Sequence, residues 1–165
     1  MKNRIFRYEI WIVALLILMP IILILFDGGN VRPSISNYVY MEHNQVFYFL
    51  LFLAASMFGN NGAIWLKNYN IFIGIFLAGI ALTPHEQFTI IHFIFAGLFF
   101  ASSVFVMIYY SSKKQRIHKI YAGIFILLAM FGHFALNLYS LFYAEWISIL
   151  PICIHFIGES KNVVD

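Results

Sequence analysis

The sequence predicts an all-α polytopic membrane protein, a bundle of six transmembrane helices with both termini on the cytoplasmic side. Composition is the first reason: 62% of the 165 residues are hydrophobic and 10% are charged, where soluble domains carry roughly 25% charged residues. The second is length, because the apolar runs approach the ~20 residues that a helix needs to cross a bilayer while satisfying its own backbone. The third is the placing of Lys and Arg in alternate connections between those runs, as topology signals are placed. A soluble fold with a mean hydropathy of +0.86 would carry more apolar surface than its interior could hide.

The first span is expected at 8–26, after Lys2, Arg4 and Arg7. It runs into Asp27-Gly28-Gly29 with no small-x-small cleavage pattern, so it is read as an uncleaved helix and not as a signal peptide. The connection from Asp27 to Asn44 is the longest, and Gly28-Gly29-Asn30 and Arg32-Pro33-Ser34 mark it as turns, not a folded insertion. The second span is expected at 44–63 and the third, a short one, at 69–84, where Gly74, Ala78 and Gly79 permit close helix contacts. The fourth is placed at 88–110, the fifth at 119–138 after a basic loop from Lys113 to Lys119, and the sixth at 141–158. Pro20 and Pro151 are expected to kink their helices, which neighbouring helices can accommodate. No repeat or linker divides the chain, so residues 1–165 form a single transmembrane domain.

Orientation follows from the basic residues. Lys2, Arg4, Arg7, Lys67, Lys113, Lys114, Arg116, Lys119 and Lys161 fall on one side of the six spans and Arg32 alone on the other. The positive-inside rule therefore puts both termini inside and the connections around Arg32, His85 and Ser140 outside. Trp11, Trp65 and Trp146 fall near interfaces, where amphipathic rings anchor. The same dispersal of basic residues argues against nucleic acid as a partner, despite a formal charge of +3.

With that topology, Asp27, Glu42, His43, His85, Glu86, His92, His133 and Glu145 gather in the outer half. His92, His133 and Glu145 would share a depth some 6–8 Å below the outer boundary, at ~1.5 Å per helical residue. His85, Thr89, His92 and Ala96 share one face of the fourth span, His133 and Asn137 lie a turn apart on the fifth, and Glu145 and Ser148 share a side of the sixth. Three consecutive polar lines suggest a pocket open to the outer leaflet. Its candidate ligand-binding residues are Ser34, Ser36, His43, His85, His92, His133, Asn137 and Glu145. Intramembrane ionisable groups point to function by default, although hydrogen bonding between helices is the plain alternative. Two imidazoles and a carboxylate at one depth also admit a divalent metal on His92, His133 and Glu145, without any HxxxH, HExxH or CxxC spacing to support it.

Other residues carry less. Cys153, the single cysteine, cannot form an intrachain disulfide and reads as a small buried hydrophobe. Glu9 is expected to pair with Arg4 and Arg7, His118 to be solvated, and His155 to sit at the inner interface. No lysine is expected within the bundle, which argues against a retinal Schiff base, and no filter-like segment suggests a channel.

An ordered series of motifs carries a resemblance. Pro33-Ser34-Ile35-Ser36-Asn37-Tyr38, Ala81-Leu82-Thr83-Pro84, Ile91-His92-Phe93 with Ala96 and Phe99-Phe100, and Tyr143-Ala144-Glu145-Trp146 resemble a family of small uncharacterised bacterial membrane proteins. That family is similar to the Frag/DRAM/Sfk group of six-helix membrane proteins, linked to lipid remodelling, phospholipid asymmetry and autophagy. The resemblance covers residues from about 30 to 158 and implies that Ser34, Ser36, His92 and Glu145 belong to a recurrent polar set. The chain departs from the bacterial pattern at Asn44-Gln45, where an Arg-Asp pair is expected. It also lacks the paired-histidine motif of ceramidase-like membrane hydrolases.

The expected function is a multi-pass protein of a bacterial inner membrane that binds or organises lipid, or a lipid headgroup, from the outer leaflet. A metal-dependent lipid hydrolase and a structural subunit of a membrane complex are the alternatives, and membrane lipids are the expected partners.

Overall fold

Predominantly apolar stretches form six α-helices: α1 (Tyr8–Phe26), α2 (Asn44–Ile64), α3 (Asn68–Leu82), α4 (Thr89–Tyr109), α5 (Lys113–Phe134) and α6 (Leu141–Ser160). A computed structural model describes residues 8–160 of the chain. Those residues are 81% helical and include no strand. Five of the helices are long and apolar enough to cross a membrane, while α3 is apolar but shorter. Lys2, Arg4, Arg7 and Lys161 lie outside the described residues.

The helices form a ring in chain order, each packed on its neighbours, with α6 closing onto α1 and α4–α5 as the loosest seam. Inside the ring lie Ile12, Leu23, Phe47, Phe58, Ile126 and Ile152, all but sealed from solvent. The α2–α3 contact is the closest: a Cβ on Gly74 would stand 2.6 Å from the Ala55 carbonyl oxygen. Pro20 and Pro151 lie inside α1 and α6 as expected.

The ends of α1, α3 and α5 follow from local chemistry. Gly28, at φ +66°, turns the chain into the left-handed region, and Gly29 N–H reaches back to the Ile24 carbonyl at 2.8 Å, a glycine-terminated helix end. Asp27 then takes the Arg32 guanidinium through two bonds of 2.7 and 2.9 Å. That bidentate hydrogen bonding holds the Asp27 carboxyl below its ordinary range and raises Arg32. Burial pushes the Tyr38 hydroxyl up. Pro84 disfavours a helical residue before it, so α3 stops with Thr83 at φ −121°.

Two segments differ from the sequence expectation. The fifth helix begins at Lys113 rather than 119 and ends at Phe134 rather than 138, because Lys, Gln and Arg are good helix formers and carry the helix through the basic run. The long connection is not merely turns: Ile35–Tyr40 forms a 3-10 helix whose Ile35, Ser36, Tyr38 and Val39 are buried. Pro33 accepts the Phe142 N–H at 2.8 Å, and the Tyr40 hydroxyl accepts the Glu86 N–H at 2.8 Å. The connections 27–43, 83–88 and 135–140 therefore meet at one end of the bundle.

At the opposite end, polar groups from five helices are buried. Asn61 Nδ2 donates to Glu9 Oε1 at 2.7 Å and Asn70 Nδ2 donates to Asn61 Oδ1 at 2.8 Å. The expected partners Arg4 and Arg7 lie outside the described residues; among those described, Asn61 bonds Glu9. Lys119 Nζ donates to His155 Nδ1 at 2.5 Å. Both are buried, so the expectation of no lysine within the bundle is wrong; the shift of α5 by almost two turns brings Lys119 inside. His118 is exposed, and Cys153 is a buried free thiol.

Candidate functional site

A cavity of about 600 Å³ lies between the 3-10 segment, α4, α5 and α6. Its polar lining is Ser34, Ser36, Asn37, His85, His92, His133, Ser140 and Glu145; its apolar lining includes Phe93, Ala96, Gly97, Phe100, Met130 and Phe134. Six of the eight residues singled out in the sequence thus face one space. His43 and Asn137 do not. His43 is exposed at the start of α2, and Asn137 is an exposed turn residue at φ +50°, a conformation that asparagine tolerates.

Each histidine is set by a helix end. Thr83 leaves α3 before Pro84, and its freed carbonyl accepts from His92 Nδ1 at 2.6 Å. Gly132 leaves room for Tyr139, whose hydroxyl would stand 2.6 Å from a Cβ there and donates instead to the Ala129 carbonyl at 2.7 Å. Folding Tyr139 back brings its carbonyl within 2.8 Å of His133 Nδ1. Because carbonyls only accept, both Nδ1 atoms carry a proton, which in the neutral tautomer leaves Nε2 as the acceptor. The His85 ring lies 6.0 Å from that of His92 and edge-on to Tyr40 at 5.6 Å.

The 3-10 segment supplies the rest. Ser34 caps it, accepting the Asn37 N–H at 3.2 Å and donating its own hydrogen to Asn37 Oδ1. Ser36 Oγ lies 3.0 Å from Ser34 Oγ, so Ser36 must be the donor there. Ile35 N–H donates to Glu145 Oε2 at 2.7 Å. Two buried polar atoms of the lining, His85 Nδ1 and Ser140 Oγ, have no hydrogen-bond partner among the described residues, nor does Ser148 Oγ deeper in α6. Such atoms cost free energy unless a water or ligand meets them.

Two expectations about this constellation are corrected. His133 is one residue from the end of α5, not well below it; it reaches the cavity because the helix stops early. His92, His133 and Glu145 line one cavity but do not make a metal-holding group, and no three His, Cys, Asp or Glu do so among the described residues. Backbone carbonyls hold the Nδ1 atoms of both imidazoles and a backbone amide holds Glu145 Oε2. On α4 the expected stripe is partial: Thr89 is exposed and bonds the His85 carbonyl at 2.7 Å, while His92 and Ala96 reach the cavity. Asn37 and Ser140 were missed, although Asn37 stands within the Pro33–Tyr38 motif.

Fold and site define a class: an all-helical protein with helices of membrane-spanning length around a cavity lined by histidine, serine and one carboxyl group. Within that class, the family of unknown function DUF7103 matches residues 18–160, and the chain belongs to that family. No curated protein and no solved structure matches it significantly.

Proposed function

We propose that the protein is a six-span membrane protein, N-in and C-in, that takes up a lipid through the seam between α4 and α5 and holds its headgroup against His92, His133 and Glu145. The single observation that carries this reading is the cavity's asymmetry. Its inner wall is polar, with two unpartnered buried atoms, while Phe93, Gly97 and Phe134 of its lining are exposed. Around them Ile90, Ile94, Leu98 and Phe131 are also exposed, so the mouth is apolar. An amphiphile matches both surfaces; a water-soluble ligand would match one. The likeness to the Frag/DRAM/Sfk group agrees with lipid as the ligand class. For the metal-dependent hydrolase alternative, the described residues hold no group of three metal-ligating side chains.

α3 is the span at issue, because 15 residues at ~1.5 Å each cover only ~22 Å of a core roughly 30 Å thick. Its crossing is supported by the meeting of connections 27–43 and 83–88 at one end and by the nine-to-one division of basic residues. Single cysteines introduced at Gly29 and Lys113 should be labelled from opposite faces of intact membranes. Labelling from the same face would remove the topology.

The lipid reading is tested with a phospholipid carrying a photoreactive group near its headgroup. Cross-links in membranes should concentrate on α4, α5 and the 3-10 segment around the cavity. Uniform labelling of every outward apolar face would mean that the cavity holds no lipid.

A further inference from the structure

The cavity's hydrogen-bonding inventory narrows the ligand further, and this step rests on the lipid reading above. Several donors on its wall are consumed within the protein, while the Asn37 amide, the Ser140 hydroxyl and the His85 ring stay open to a ligand. His92 and His133 spend their N–H groups on the Thr83 and Tyr139 carbonyls. Ser34 gives its hydrogen to Asn37, and Ser36 gives its own to Ser34. Not engaged within the protein are the two imidazole Nε2 atoms, which accept when the rings are neutral, and Glu145 Oε1, the carboxyl oxygen free of Ile35, which accepts when ionised and donates when protonated. No Lys, Arg or Asp is among the lining residues. Arg32, the arginine of this end, is clamped by Asp27.

A phosphate or carboxylate headgroup would therefore meet acceptors and a carboxyl group with no fixed cation, an arrangement opposite to the bidentate basic sites that recognise such anions. We infer that the cavity selects a lipid whose headgroup carries hydrogen-bond donors and no net negative charge, through hydroxyls or an ammonium group. The donors would pair with Glu145 Oε1, His92 Nε2 and His133 Nε2, and the acceptor oxygens of the same headgroup with the Ser140 hydroxyl. Hydroxyl and ammonium headgroups share this chemistry, and only comparison of lipids distinguishes them.

The test is native mass spectrometry of the purified full chain in a polyoxyethylene detergent. It is titrated separately with dioleoylglycerol, dioleoylphosphatidylethanolamine and dioleoylphosphatidic acid, which have matched acyl chains. One of the first two should bind at least about tenfold more tightly than phosphatidic acid, the scale of a lost hydrogen bond or two. The winner names the donor, hydroxyl or ammonium. Glu145→Gln, which keeps an acceptor oxygen for Ile35, should fold normally and weaken an ammonium lipid more than a hydroxyl lipid. Equal or tighter binding of phosphatidic acid overturns the inference while leaving a lipid cavity in place. Equal binding of all three, unchanged when Gly97 is replaced by phenylalanine, overturns the lipid cavity itself.

Discussion

Asn61→Leu is expected to destabilise the protein by about 3 kcal/mol, whereas Asn60→Leu, one residue away on α2, should change stability by less than ~0.5 kcal/mol. Asn61 is fully buried and stands between the Glu9 carboxyl of α1 and the Asn70 amide of α3. Leucine has similar bulk but neither donates nor accepts. The substitution would leave a carboxyl oxygen and an amide N–H unmatched in a site that water cannot reach, each costing roughly 1–3 kcal/mol. Hydrogen bonds between membrane helices average nearer ~0.6 kcal/mol, but that figure describes neutral pairs whose partners find other bonds. Here the acceptor is a carboxyl group and the network spans three helices. Asn60 is exposed and isolates the effect of adding leucine to the same turn. Thermal unfolding in detergent measures both; equal, small shifts would mean that the chain of amides contributes nothing.

Gly97→Phe is expected to reduce lipid photolabelling at the cavity at least about tenfold, equivalent to roughly 1.4 kcal/mol, without loss of stability. A Cβ at Gly97 would meet nothing within 4 Å, and the position lines the cavity. The ring can therefore occupy the space without pushing another element aside, and replacing a mid-helix glycine removes a cost of ~0.5–1 kcal/mol. Gly97→Ala should show the stability gain with labelling intact, which separates helix propensity from occupancy. At Gly74 the same change should do the reverse, since its Cβ would strike the Ala55 carbonyl. A folded Gly97→Phe protein that labels like the parent would remove the cavity from the lipid reading.

How far the sequence reached depends on which physical signal each element carries. α1, α2, α4 and α6 are marked by predominantly apolar runs, and their positions are close to those expected. α5 is not, because hydropathy sees charges at Lys113–Lys119 as a loop while backbone propensity sees a helix. The 3-10 segment was illegible: six residues are too few for periodicity to register, and its burial depends on α6 more than a hundred positions away. For the candidate site, depth along a helix was readable and azimuth was not. His92 and Glu145 sit early in α4 and α6 and face inward. His43 and Asn137 lie at the same end of the bundle but are exposed, beyond the helix ends and outside the cavity lining, and the sequence spacing did not show where those helices would end. The hydrogen bonds that fix the histidine tautomers arise where helices end, at Thr83 and Tyr139, positions set by Pro84 and Gly132.

The Ile35–Glu145 bond has a consequence for assembly. Its partners are 110 residues apart, and the Pro33–Phe142 bond beside it spans nearly the same interval. During synthesis the 3-10 segment emerges early, yet the helix that anchors it is made only after α1–α5. Until α6 inserts, the Ile35 amide lacks Glu145 and the Tyr38 ring lacks Phe142, although α2 already packs on the segment, and the ring has no closure onto α1. The cavity is therefore completed only when α6 inserts, and a ribosome that stalls before Leu141 leaves five helices around an unsealed mouth.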